Sequence, residues 1–289
     1  EEKKFVGAKW GKYIRAPEIL FKILKKGKDK FIILNKIATI RRGFTTGANE
    51  FFYLTDEEIK QRGIEKKFLQ PVIFSLKEIK GYKIDKEALK YKVIICNKPK
   101  EKLTGTNLLK YINWGEKQNY HKRPTCASRS PHPWYSLGIG WEYAPLIFPA
   151  KVGERMPVFL NDNVFEDKKL YGIIPKKSNE KLLLAALLNS TLTRFFIEFT
   201  CRQLTGSQAI ADIDVIVVQK LLIPNPKVIS TKIKKNLTEK FNNLCKSNAE
   251  SIFVEIAPNP EEITLDKIKI ERRELDKIIM EEILGLSDN

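Results

Sequence analysis

The sequence predicts an α+β fold, a mixed globular body followed by a C-terminal helical pair, and three observations carry that expectation. Short runs rich in β-branched residues, such as Lys36-Ile37-Ala38-Thr39-Ile40, are bounded by glycine and polar turns in the manner of strands. Between them lie segments whose apolar residues recur every three or four positions, as on one face of a helix. After Pro224-Asn225-Pro226 the strand signal stops, and only Ala257-Pro258-Asn259-Pro260 interrupts a helical pattern. These changes of character divide the chain into a leading segment with one helix (1–27), a globular region (28–226) and a helical region (227–289).

The elements follow in order. Pro17 suits a first helical turn, and Ile19, Leu20, Ile23 and Leu24 give a helix over 16–26 that Gly27 stops. Residues 36–40 form a strand, with 51–54 as its continuation or partner. Thr55-Asp56-Glu57-Glu58 is a capping box opening a helix that ends near Gly63. Strands are expected at 72–74 and 93–96, then a helix over 107–118 with Leu108, Leu109 and Ile112 inward. Residues 120–141 have little periodicity and read as a long loop. Strands at 146–148, 158–160 and 171–174 follow, with Lys151 and Arg155 in the turn between the first two. Apolar helices over 179–188 and 191–203 lead to a polar turn, Thr205-Gly206-Ser207-Gln208, and a strand at 213–218. Helices over 229–252 and 263–284 close the chain, with Leu237, Phe241, Leu244, Leu275, Ile279 and Ile283 among their apolar positions.

Hydrophobic residues make up 43% of 289 positions, enough to bury a substantial core and too many for a disordered chain. No apolar run approaches the roughly 20 residues of a membrane span, and no signal-peptide pattern opens the chain, so a soluble, cytoplasmic protein is expected. Cys96, Cys126, Cys201 and Cys245 are widely spaced and His121 and His132 are the only histidines, so reduced packing cysteines are expected rather than a zinc site or disulfides.

Charge carries more information. With 52 Lys and Arg against 35 Asp and Glu the net charge is +17, which favours polyanionic partners. The imbalance is concentrated: residues 77–129 hold fourteen basic against five acidic side chains, whereas residues 234–289 hold nine against twelve. A lysine-rich background accounts for part of the total and leaves the segregation unexplained.

The run Arg41-Arg42-Gly43-Phe44-Thr45-Thr46-Gly47-Ala48-Asn49-Glu50-Phe51-Phe52 is the most informative stretch. Gly43 and Gly47 permit positive φ, while Arg41, Arg42, Thr45, Thr46 and Asn49 offer donors and acceptors suited to phosphates and base edges. On composition alone, an ordinary glycine hairpin with solvated arginines is an equal reading. This run resembles the motif that opens the target recognition domain of TaqI-type adenine-specific DNA methyltransferases and of related type IIG and type I restriction-modification proteins. Further segments resemble that family in the same order: the junction Lys9-Trp10-Gly11-Lys12-Tyr13-Ile14-Arg15-Ala16-Pro17, the helix Leu182-Leu183-Leu184-Ala185-Ala186-Leu187-Leu188-Asn189-Ser190-Thr191, and the turn Leu204-Thr205-Gly206-Ser207 before a closing strand ending at Pro226. The last helix, with Glu271-Arg272-Arg273-Glu274-Leu275-Asp276-Lys277-Ile278-Ile279, also fits.

The resemblance implies a domain that reads a short double-stranded DNA site and presents it to a methyltransferase domain, which transfers a methyl group from S-adenosylmethionine to a flipped adenine. The chain lacks the family's Asn-Pro-Pro-Tyr motif and its glycine-rich cofactor loop, and it begins at Glu1 rather than Met. It is therefore expected to be a specificity region without its catalytic domain, non-catalytic by itself and holding no cofactor. Candidate phosphate contacts are Lys98, Lys100, Lys122, Arg123, Arg129, Lys151 and Arg155, beside Arg41, Arg42, Thr45, Thr46 and Asn49 near the DNA. Trp134, Tyr135 and Trp141 suit either base stacking or anchorage of the long loop, the latter favoured for the tryptophans. Two readings compete: a basic module for RNA or protein, and a nuclease built on Glu78-x-Lys80 or Glu166-x-Lys168.

Overall fold

The computed structural model describes residues 17–138, 140–204 and 210–286, so the junction at 9–16 and the turn at 205–208 lie outside the described residues. The fold is α+β. Packing groups the chain into two units: Glu1–Thr39 with Lys151–Pro157 and Pro175–Asn289, and Ile40–Ala150 with Val158–Ile174. The chain thus passes to the first unit for 151–157 and back to the second for 158–174.

The second unit contains the informative loop and is built on two four-stranded sheets. One has the order Tyr53–Leu54, Tyr91–Ile94, Leu69–Ile73, Phe165–Glu166, its last pair parallel. The other has the order Ala38–Arg42, Leu170–Pro175, Leu146–Pro149, Phe159–Leu160. The capping box forms as its residues dictate: Thr55 N donates to Glu58 Oε2 at 2.8 Å, Thr55 Oγ1 accepts from Glu58 N at 3.3 Å, and the helix Asp56–Arg62 ends at Gly63 with φ 64°. The helix Asn107–Lys117 buries Leu108 and Ile112 completely, whereas Leu109 is only half-buried.

Two expectations around the loop are corrected. Residues 51–54 do not continue as one strand: Asn49–Phe52 is a helical turn, and only Tyr53–Leu54 is extended. Phe51 and Phe52 are both fully buried. Adjacent residues of a strand point to opposite faces, whereas a helical turn sets them about 100° apart and lets both rings enter one core. Nor are the flanking strands hairpin partners, since Ala38–Arg42 and Tyr53–Leu54 join different sheets.

In the first unit, Phe31–Ile33 pairs with Leu222–Pro224, and the order Arg202–Leu204, Ile210–Asp212, Lys151–Val152 makes a three-stranded sheet. Lys151 thus lies on a strand rather than in a turn. The helix Lys181–Leu188 is buried along Leu183 to Leu188, packing with Leu237, Phe241 and Leu244 of Thr231–Leu244. The expected strand at 213–218 is instead the helix Val215–Gln219, of which only Val218 is buried, with Ile213 and Leu221 buried on either side; a single buried position gives no alternation, so packing overrides the β-branched composition. The first helix starts at Glu18 with Pro17 at its N-cap. The closing helices are shorter than their apolar stripes, at Thr231–Leu244 and Ile270–Lys277, the latter running on as a π-helical turn to Ile283. Ile263 and Leu265 are exposed and give a longer helix nothing to bury against. Asp276 caps the helix Thr191–Thr200 from a distance, accepting from Thr191 N at 2.8 Å and Thr191 Oγ1 at 2.5 Å. Among the described residues, no single helix is long and apolar enough to cross a membrane.

Gly43 shows how tightly the second unit is closed. Its N–H donates to Leu170 O at 3.0 Å, Phe44 N donates to Glu166 O at 2.8 Å, and a Cβ at position 43 would stand 2.2 Å from Glu166 O and 2.5 Å from Asp167 O. Gly43→Ala is expected to cost about 3 kcal/mol, whereas Gly153→Ala, with nothing within 4 Å, is expected to cost little. Denaturant unfolding of the two variants side by side measures the difference.

Candidate functional site

Gly43 and Gly47 serve the loop differently. Gly47 takes φ +74°, the left-handed conformation expected of it, but Gly43 does not have a positive φ, and its need for glycine is the backbone approach just described. Between them Phe44 is buried, with Trp141 at 4.2 Å and Phe165 at 5.1 Å between ring centroids. Thr45 stays exposed, while Thr46 is buried and donates from Oγ1 to Asn49 Oδ1.

Arg129 holds this loop in shape. Its NH2 donates to Thr45 O at 2.9 Å and Thr46 O at 2.7 Å, its NH1 to Trp134 O at 2.6 Å, and the guanidinium lies 5.2 Å from the Phe52 ring centroid. A planar fork with separate nitrogens lets one side chain hold Trp134 O through NH1 and both threonine carbonyls through NH2, a spread that a point-like ammonium lacks. Arg129 therefore ties the long 120–138 segment, with its helical turns Tyr120–Lys122 and Pro124–Ala127, to the loop at 45–46.

Arg41 is engaged in the same way. It bonds Glu166 Oε1 through Nε at 3.2 Å, donates to Glu142 O, and lies 4.6 Å from the Trp141 ring centroid. Glu166 is fully buried, and its Oε2 has no hydrogen-bond partner among the described residues. Burial pushes its pKa up to about 7 against the opposing pull of Arg41. Glu166 does lie on a strand, Phe165–Glu166, but its carboxylate faces Arg41, and no three His, Cys, Asp or Glu side chains gather as a metal cluster among the described residues. Beside it, buried Asp167 accepts from Tyr53 Oη at 2.8 Å.

The remaining candidates separate by what they touch. Arg42 is exposed on its strand, with Tyr171 Oη at 3.5 Å. Arg123 pairs with Glu50 at 3.0 Å and lies 4.7 Å from the Tyr120 ring centroid; its hydrogen bond holds the Glu50 carboxyl below the usual carboxylate range. Lys100 pairs with Glu116 at 2.5 Å. Lys98 and Lys122 are exposed. All of these belong to the second unit, whereas Lys151 and Arg155 belong to the first. The aromatic residues of the long loop are anchors: Trp134 packs 4.6 Å from Phe51 and donates to Glu116, Tyr135 is buried with its hydroxyl on Lys98 O, and Trp141 covers Phe44. Sequence reasoning marked Glu166 only as part of a Glu-x-Lys nuclease pattern and gave Asp167 no role; that both are buried, against Arg41 and Tyr53, carried no local signal.

Two outcomes follow from these contacts. Arg129→Ala should strand three carbonyls, lower stability by about 2 kcal/mol and speed hydrogen exchange at 44–48, with Arg129→Lys unable to restore it. Because burial raises the Glu166 pKa, the native state binds a proton more tightly than the unfolded chain. Its contribution is complete below the unfolded value of 4.5 and is lost as pH rises through about 7. Thermal unfolding across that window should show wild type losing up to roughly 3 kcal/mol relative to Glu166→Gln.

Comparison with known proteins now identifies the architecture. Residues 7–259 match the family model described as the C-terminal domain of type II methyltransferase M.Eco57I. The type II methyltransferase M.AccI of Acinetobacter calcoaceticus is 35% identical over 132 residues, 42% of this chain and 24% of its own length. The chain thus spans about a quarter of that relative. Among solved structures, the type IIG restriction endonuclease BpuSI superimposes with TM-score 0.58 at 13% identity, covering 93% of this chain and 34% of its own. The type IIL restriction-modification enzyme MmeI, solved in complex with DNA, gives TM-score 0.59 at 16% identity, covering 88% and 33%. With most of its length inside that model, the chain belongs to the M.Eco57I C-terminal-domain family of type II restriction-modification methyltransferases.

Proposed function

We propose that this chain reads a short double-stranded DNA site and presents it to an adenine-specific methyltransferase domain, fused or separate, without performing methyl transfer itself. The observation that carries the reading is a loop clamped through its main chain by Arg129, which leaves Arg42 and Thr45 exposed at its edge. A rigid backbone presenting a few polar side chains is what discrimination between base edges requires, because a mobile reader loses selectivity to its own adaptation. Arginine against guanine is the most valuable such contact, which singles out Arg42.

Lys98 and Lys122 supply exposed charge for phosphates, and Arg123 and Lys100 add to it by exchanging their carboxylate partners for phosphate. Arg41, Arg129 and Thr46 act from behind, holding the loop rather than touching DNA. Lys151 and Arg155 remain phosphate candidates on the first unit. S-adenosylmethionine belongs to the methyltransferase domain, since the sequence lacks that domain's glycine-rich loop and Asn-Pro-Pro-Tyr motif.

Selection from a randomised duplex pool, with binding measured across a salt series, tests the reading. Wild type should enrich a short duplex motif. Arg42→Ala should relax the preference at one position, worth about 1–3 kcal/mol of discrimination, while Lys122→Ala should weaken all duplexes alike and flatten the salt slope. Equal losses for Arg42→Ala on selected and random duplexes would remove its role in readout. Salt-sensitive binding without enrichment, or a preference for RNA, would instead favour a basic interaction module.

A further inference from the structure

Next to the clamped loop the second unit has a cleft of about 340 Å³ lined by Asn49, Glu50, Tyr53, Thr55, Glu58, Phe74 and Tyr91. We propose that this cleft receives one unstacked nucleobase bearing an exocyclic amino group, drawn from the bound duplex. The inference rests on the duplex-reading role proposed above.

Size and shape come first. The volume lies at the lower end of small-ligand pockets, about 300–1,000 Å³, and accommodates a single planar heterocycle. Its floor is aromatic: Phe74 stands between Tyr53, 5.4 Å away, and Tyr91, 5.2 Å away by ring centroids. Tyr53 is fixed by its hydrogen bond to Asp167, and Lys169 Nζ sits 4.0 Å from the Phe74 ring centroid. Phe74 and Tyr91 are only half-buried, so they offer flat surface to a visitor. Stacking on such rings favours every base and compensates part of the cost of leaving the helix.

The polar groups narrow the class of base. Thr46 donates to Asn49 Oδ1, which settles the orientation of the amide; Nδ2 has no partner among the described residues and remains a donor. Glu58 spends Oε2 on Thr55 N and Oγ1, at 2.8 Å and 3.1 Å, and Oε1 remains an acceptor. Glu50 adds a second carboxylate, paired with Arg123. Two carboxylates repel a phosphate, so the backbone stays outside. An amino group on adenine, cytosine or guanine satisfies Glu58, and a ring nitrogen or carbonyl beside it satisfies Asn49. Thymine offers Glu58 only its single ring N3–H, where an amino group presents two donors on a freely exposed nitrogen, and so is the weaker occupant.

The test uses the whole chain and duplexes of the selected motif carrying 2-aminopurine, an amino-bearing purine, at each position in turn. Binding should raise emission several-fold at one position and leave the others unchanged. Tyr91→Ala, and Tyr91→Leu, which keeps apolar bulk without a flat ring, should abolish the rise while the duplex still binds with its motif preference. Replacing the responsive base by thymine should weaken binding several-fold in wild type and leave the Tyr91 variants unaffected. Motif-specific binding with no change in emission at any position overturns the cleft proposal and leaves duplex reading standing, as does a rise that survives both Tyr91 substitutions. Failure to enrich any duplex motif overturns both.

Discussion

The second unit depends on one close approach, that of the chain at Gly43 and Phe44 to the Glu166–Asp167 step. Two backbone segments far apart in sequence meet there with no side chain between them, and the bonds Gly43 N to Leu170 O and Phe44 N to Glu166 O close the contact. Everything around it follows from that meeting. Phe44 is carried inward between Trp141 and Phe165, Arg41 is placed beside Glu166, and Tyr53 reaches Asp167. A second glycine serves the same carboxylate from the other side: a Cβ at Gly172 would lie 2.4 Å from Glu166 Oε1.

The buried carboxylates cost more than they return in direct attraction. Glu166 is solvated by one arginine and keeps an oxygen unpartnered among the described residues, so desolvation outweighs its ion pair. What the pair supplies is definition, because Arg41 can satisfy Glu166, the Glu142 carbonyl and the Trp141 face in one arrangement only. The first unit repeats this economy of means with Arg272 on Glu255 at 2.6 Å and Asp276 capping the helix that begins at Thr191.

Features whose causes lie within a few residues were legible in the sequence. The capping box at Thr55 and Glu58, its glycine terminator and the helix beginning at Asn107 depend on their own neighbours and form where the pattern puts them. Features that depend on distant packing were not. The helical turn at Phe51 and Phe52 follows from one core claiming both rings, and the helix at Val215 follows from burial that β-branched composition cannot reveal. At the candidate site, the sequence marks a cation but not what the cation already holds. Arg129 and Lys122 look alike in the chain, yet one donates to three carbonyls and the other is exposed. The sequence marked Glu166 only as a candidate nuclease acid and Asp167 not at all, because their structural role exists only where the Gly43 backbone meets them.

Arg129 grips carbonyl oxygens, and every residue type has one. The shape of the loop is therefore indifferent to what stands at position 45, whose side chain takes no part in its own retention. Substitution there can proceed without a folding penalty, so this surface can drift in sequence over evolutionary time while its scaffold stays constant. Stability and variability are assigned to different atoms of the same residue, and a lineage can explore new surface chemistry one exposed side chain at a time.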